Sequence, residues 1–184
     1  MVTRRSFIVS VLVLLQLVSI VSCAPEPNLD RGKYLQLVSY TDPGNEVNIS
    51  VDLTRALDNH LFLEATFSPP HGYHLYSKDL PRDGDNGQGR PTLLELPSGS
   101  KMQALGVLSE SVSSYMVGYE PDGPLIYPDG PVTLSLPVKL PSTRGWVNDQ
   151  ISLTYTACTE VECKIPTIGK LINVRVPGAL SIEP

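Results

Sequence analysis

The chain has 184 residues, with fourteen lysines and arginines against nineteen aspartates and glutamates, for a net charge of −5. That length fits one domain, and that sign of charge excludes a protein built to bind nucleic acid or an anionic membrane surface. Seventeen prolines and fourteen glycines are spread along the chain, which suits many short strands joined by many turns.

Residues 1–22 read as a targeting segment. Arg4 and Arg5 form a basic start, and Phe7 to Ile20 is an apolar run broken only by Ser10, Gln16 and Ser19. Ile20-Val21-Ser22-Cys23 resembles a bacterial lipobox, in which cleavage before Cys23 leaves that sulfur carrying a diacylglyceryl group. The other reading is a plain secretory signal cleaved near Ser22 or Ala24. Lipidation accounts for the odd cysteine, since one of the three is then acylated and two remain to pair. Further N-acylation would supply the several chains that stable anchoring requires. Ala24, where an aspartate would signal retention in the enterobacterial sorting pattern, points to the outer membrane. Thr3-Arg-Arg-Ser-Phe-Ile8 is also similar to a twin-arginine signal, while the apolar run suits the general secretory route equally. Loss of residues 1–22 leaves twelve basic and nineteen acidic residues, a net charge of −7. Cys23 and a tether would occupy residues 23–31, with the folded domain at 32–184. No other stretch is long and apolar enough to cross a membrane.

The rest reads as almost wholly β. Strands are expected at Tyr34–Thr41, Glu46–Leu53, Leu61–Phe67, Tyr73–Ser77, Thr92–Leu96, Ala104–Ser109, Val132–Leu140, Ile151–Thr156 and Leu171–Val176. Alternation places Val132, Leu134 and Leu136 on one face, then Ile151, Leu153 and Tyr155, then Ile172, Val174 and Val176. Asp42-Pro-Gly-Asn45 and Pro128-Asp-Gly-Pro131 read as turns in which proline presets φ and glycine supplies a positive φ. Val51–His60 is the one stretch with room for a helical turn. Arg82–Arg90 has no apolar residue and reads as a mobile surface loop. This pattern points to a β-sandwich.

Near the end of the chain, Cys158 and Cys163 are separated by Thr159-Glu-Val-Glu162. Thr154-Tyr155-Thr156 is β-branched and aromatic, as in a strand, and a four-residue connection fits a hairpin. Facing residues of a non-hydrogen-bonded antiparallel pair have Cα atoms roughly 4.5–5.5 Å apart, within the disulfide range of about 4.4–6.8 Å. So short a loop gains only about 2 kcal/mol from cross-linking, and a domain this long can fold without it. Glu160 and Glu162 disfavour a thiolate, so neither sulfur should be a strongly acidic thiol. The pair is either a staple or a reagent.

Tyr155-Thr-Ala-Cys158-Thr-Glu-Val-Glu-Cys163-Lys-Ile-Pro166 resembles the active-site hairpin of the N-terminal periplasmic domain of the thiol:disulfide interchange protein DsbD. Gly72-Tyr-His-Leu-Tyr-Ser-Lys78 is similar to the strand that lies beside the cysteines in that family. The resemblance spans roughly residues 32–177. It implies an immunoglobulin-like sandwich in which Cys163 exchanges with partners through a mixed disulfide and Cys158 resolves it. Tyr73, Tyr76, Tyr155 and Pro166 would surround the pair. The family's cap loop falls at Ser109–Tyr127, but its acidic-aromatic motif is not reproduced, leaving Tyr115, Met116 and Tyr119 as candidates for the shield. Implied partners are periplasmic thioredoxin-like or disulfide isomerase proteins, or a cytochrome c assembly factor. Implied too is a separate membrane electron conduit, since the sequence ends at Pro184 without the family's membrane-spanning and thioredoxin-like parts. The Cys-x4-Cys spacing is one residue shorter than in the best-known members, and Pro166 follows Cys163 by three positions.

No cofactor or metal is expected. His71, His74, Met102 and Met116 are the residues a copper site would use, but histidine beside proline and glycine is more often a turn residue. No Gly-x-Ser-x-Gly elbow points to hydrolysis. The reading from a different class is a non-catalytic immunoglobulin-like lipoprotein that presents a binding surface and keeps Cys158–Cys163 as a fixed staple.

Overall fold

The computed structural model describes residues 29–85, 87–117 and 123–182. The targeting segment, Cys23 and Tyr119 lie outside the described residues. In chain order the strands are β1 (Lys33–Thr41), β2 (Asn48–Arg55), β3 (Leu61–Ser68), β4 (His74–Leu75), β5 (Leu93–Glu95), β6 (Gln103–Ala104) and β7 (Ser109–Glu110). They continue as β8 (Tyr115–Met116), β9 (Leu125–Ile126), β10 (Val132–Lys139), β11 (Trp146–Tyr155), β12 (Ala157–Cys158) and β13 (Thr167–Pro177).

One sheet runs β1-β2-β3-β10, with β6 and β7 both on the far edge of β10; the other runs β13-β11-β5. Their inner faces are the alternating apolar positions. Ile49, Val51 and Leu53 of β2, Leu63, Ala65 and Phe67 of β3, and Val132, Leu134, Leu136 and Val138 of β10 face Leu94, Ile151, Leu153, Tyr155, Val174 and Val176 in one buried core. Period-2 patterning with one face buried is what holds strand register in such sheets. The protein is therefore an all-β sandwich, as the strand pattern of its sequence points to.

Three local expectations are corrected. Val51–His60 holds no helical turn: β2 continues to Arg55, and a tight turn follows in which Ala56 N–H donates to His60 O (2.9 Å). Asn59 takes a φ of 71° there. The expected strand Ala104–Ser109 is broken into β6 and β7 because Pro137 lies opposite its middle. Pro137 O accepts from Leu105 N–H at 2.8 Å, and a strand residue's two backbone groups point the same way, so the donor that proline lacks is missing on this edge. In the turn after β1 the positive φ falls on Glu46 (57°) and not on Gly44, whereas Gly130 behaves as expected. Arg82–Arg90 is folded back on itself: Asp85 and Gln88 exchange backbone hydrogen bonds of 2.9 and 2.8 Å. The Arg90 guanidinium also donates to the carbonyls of Asp83 (3.0 Å), Gly87 (3.1 Å) and Gly89.

β1 positions the site. Its first residues lie near buried Leu29, whose carbonyl accepts from Arg55. Its last residue leads into Asp42–Val47, the loop beneath the cysteines. Nine residues of strand span about 30 Å, so the start of the described chain and the cysteine hairpin lie at opposite ends of the sandwich.

Candidate active site

β4 is the centre of a small layer at that end. On one side it pairs with β12, Ala157 opposite Leu75 and Cys158 opposite His74. On the other, Tyr127 N–H donates to Leu75 O (2.8 Å) and Ser77 N–H to Leu125 O (2.9 Å). β9 in turn pairs antiparallel with β8, Tyr115 opposite Ile126 and Met116 opposite Leu125. The stretch Gly72–Lys78 thus lies beside the cysteines.

The hairpin closes as its spacing suggests. Thr159 N–H donates to Glu162 O (2.8 Å) and Lys164 N–H to Ala157 O (2.9 Å), with Cys158 directly opposite Cys163. The two sulfurs are bonded at 2.00 Å, and the Cα atoms, 4.0 Å apart, lie closer than the expected spacing of a facing pair. The surroundings of the two residues are opposite in kind. Cys158 is 0 % exposed and packs with Tyr76, Leu80 and Ile126. Cys163 is exposed and lines an open cavity of about 580 Å³ with Tyr76, Gly87–Gly89, Lys164 and Pro166. An attacking thiolate needs a path to one sulfur, and only Cys163 offers it.

Tyr76 is almost buried, and its hydroxyl makes a long contact of 4.0 Å to Cys163 Sγ. Burial, and secondarily Asp85, raise its pKa, so it stays a neutral donor able to stabilise negative charge on that sulfur. Its ring rests on Gly89, where an added Cβ would lie 2.5 Å from Tyr76 Cε2. Gly89 also has a φ of 68°. Gly89→Ala should therefore push the ring aside and lower stability by about 1–3 kcal/mol. The urea midpoint checks that cost, and faster reduction of the disulfide by dithiothreitol checks that the ring screens the sulfur.

Tyr73 lies outside the hairpin. Its hydroxyl donates to Glu162 (2.5 Å) and its ring lies 5.1 Å from Lys164 Nζ, which also pairs with Glu46 at 3.4 Å. The Glu162 bond is the main cause of a raised Tyr73 pKa. His74, half-buried, stacks edge-on against Tyr76 at 5.6 Å. Burial lowers its pKa against the opposing pull of Asp129 and Glu160, leaving it neutral near pH 7. Among the described residues no group of three or more His, Cys, Asp or Glu could hold a metal ion.

Tyr155 lies beneath the hairpin. Its ring packs on Phe67 at 5.4 Å and its hydroxyl donates to Asp42 Oδ2. Tyr115 and Val117 line a second cavity, about 910 Å³, together with His74, Tyr76, Glu160 and Val161. Met116, between them in sequence, is not among its lining residues. Two groups at the site read in the sequence only as turn and loop. Gly87–Gly89 forms one wall beside Cys163, and Asn45 reaches up beneath both arms of the hairpin. Neither has a local signal stronger than turn composition.

Fold and site together define an all-β sandwich domain with a half-exposed cystine at one end. No family model matches the chain, and no curated protein matches it. Among solved structures it is similar to the DsbD N-terminal domain of Neisseria meningitidis in its reduced form. The TM-score is 0.40 at 17 % identity, over 63 % of this chain and 76 % of that one. At that level the likeness carries no weight for the site, whose reading rests on its own geometry.

Proposed function

We propose that this domain exchanges thiols and disulfides with protein partners through Cys158 and Cys163, as a relative of the DsbD N-terminal domain. The observation that carries the reading is the unequal burial of the two residues, one exposed at the rim of a cavity and one 0 % exposed in the core. A structural staple does not require that asymmetry; an exchanger uses it to choose which sulfur is attacked.

In the reduced domain, the Cys163 thiolate attacks one sulfur of an oxidised client. The new S–S bond forms as the client's second sulfur leaves as a thiolate. Cys158 then gives up its proton and attacks Cys163, restoring the internal disulfide and releasing the client as a dithiol. Two electrons pass to the client, and the cysteines are themselves the redox group. Val161 (92 % exposed) and Ile165 (76 % exposed) flank Cys163, and exposed apolar side chains around a reactive group suit a protein client. Thioredoxin-like or disulfide isomerase clients, a cytochrome c assembly factor, and a separate membrane conduit as electron donor belong to the same reading. So do the lipid anchor at Cys23 and an outer-membrane, periplasm-facing location. The placement of Leu29 at the end of the sandwich remote from the disulfide supports it, since a tether there leaves the cystine facing away.

The test is the reduction potential of Cys158–Cys163 in the folded domain, by equilibration with glutathione or dithiothreitol, thiol alkylation and intact mass. A value between about −180 and −270 mV is expected of an exchanger, whereas one below about −300 mV marks a structural disulfide and would overturn the proposal. The double variant Cys158→Ser, Cys163→Ser should fold and lose all reductase activity toward an oxidised protein client.

A further inference from the structure

We infer that Asn45 is a positioning residue that sets how strongly the Cys158–Cys163 pair holds its disulfide, an inference that rests on the redox reading above. Its side chain is 1 % exposed and is hydrogen-bonded to both arms of the hairpin. Asn45 Nδ2 donates to Ile165 O (2.6 Å) and to Thr167 Oγ1 (3.0 Å) on the arm that follows Cys163. Asn45 Oδ1 accepts from Ala157 N–H, the residue before Cys158, at 3.5 Å. These partners lie more than 110 positions away in sequence. Asparagine is not needed here for the backbone, because the left-handed conformation in this turn belongs to Glu46. The side chain itself is what the site uses.

The physical consequence concerns the dithiol. With the disulfide closed, a covalent bond holds the arms together. After it takes up two electrons and two protons, the hairpin's own hydrogen bonds, the strand pairing on either side of it and the bonds of Asn45 keep the sulfurs close. A fixed pair of arms raises the effective concentration of one thiol at the other, as any preorganised link does. Asn45 therefore favours the disulfide. Without it the dithiol gains freedom that ring closure must take back, and the pair becomes more oxidising. The neighbouring bonds reinforce this base: Thr167 Oγ1 donates to Asp42 Oδ2 at 2.9 Å. The Ile168–Gly169 bulge in β13, with Gly169 at a φ of 59°, is where the register slips to bring Thr167 opposite Tyr155.

The experiment is a redox titration of wild type and Asn45→Ala against dithiothreitol, whose own dithiol closes to a cyclic disulfide as it reduces the protein. N45A is expected to shift the equilibrium about tenfold toward the dithiol, which is about 30 mV for a two-electron couple. A loss of stability alone would not move this ratio. Asp149→Ala controls for that: Asp149 anchors the amides of Lys101 and Met102 (3.0 and 2.9 Å) in a turn remote from the cysteines. It should lower thermal stability with no redox shift. An N45A equilibrium within twofold of wild type, or an equal shift in D149A, overturns the inference. Should N45A not fold, Asn45→Ser is titrated and judged by the same twofold criterion. The ratio between variant and wild type is independent of the absolute potential. A wild-type pair too stable for exchange therefore counts against the function alone, and an unshifted ratio against the clamp alone.

Discussion

Cys158→Ser should leave a freely reactive thiol at Cys163, whereas Cys163→Ser should leave one that iodoacetamide reaches slowly. Cys158 is enclosed by Tyr76, Leu80 and Ile126 and held in the pairing of β12 with β4, so its sulfur becomes reachable only when that layer opens. An opening free energy of about 3 kcal/mol, modest on the scale of sub-global fluctuations, corresponds to about a 100-fold slower reaction. In strong denaturant the two variants should alkylate at the same rate. The ratio of native to denatured rates thus isolates protection from intrinsic thiol chemistry. Similar rates in the native state would mean that both sulfurs are reachable and that burial does not decide which one exchanges. The same variants separate the chemical roles. Cys158→Ser should accumulate a mixed disulfide with an oxidised client, because the buried partner that resolves it is gone. Cys163→Ser should form almost none.

Acid should uncouple the base of the site before it unfolds the rest. Asp42 is nearly buried, and burial by itself would raise its pKa. The hydroxyl of Tyr155, the amide of Gly44, the hydroxyl of Thr167 and the charge of Lys170 outweigh that and hold it at about 2, against 3.8 for an ordinary aspartate. A folded-state pKa below the unfolded one means that the unfolded chain binds the proton first. The stabilisation is therefore complete above about pH 4 and is lost as pH falls through the folded value near 2. A shift of this size corresponds to about 2 kcal/mol. Urea unfolding at pH 7, 4 and 2.5 should show wild type losing about 2 kcal/mol more than Asp42→Asn over the acid step. Parallel pH profiles would remove Asp42 from the account. Tyr155→Phe should act from the other side. It removes the strongest donor to Asp42, costs about 1–3 kcal/mol at pH 7, and moves the acid transition to higher pH because burial of the carboxylate is then less opposed.

Both expectations depend on contacts between segments far apart in sequence, and that divides what could be read from the chain alone. Alternation at Val132–Leu136, at Ile151–Tyr155 and at Val174–Val176 is a local property. A two-residue side-chain period with one apolar face fixes both strand and core, so the sandwich was legible. The hairpin was legible as well, since four residues between strand-forming flanks leave Cys158 and Cys163 little choice but to face each other. Where local chemistry competed with a distant neighbour, the neighbour decided. Pro137 broke the strand expected at Ala104–Ser109 from across the sheet.

The sequence by itself determined an all-β chain with a cystine hairpin near its end, because backbone periodicity, turn chemistry and loop length act over a few residues. Only the tertiary structure decided which sulfur faces solvent and what holds the arms that carry it. Cys158 and Cys163 belong to one short hairpin, and nothing within that hairpin makes them unequal. The difference comes from β4 and β9, packed over Cys158 alone, and the clamp from Asn45, more than a hundred residues upstream. Burial is a sum over contacts from the whole chain, and no local pattern contains that sum.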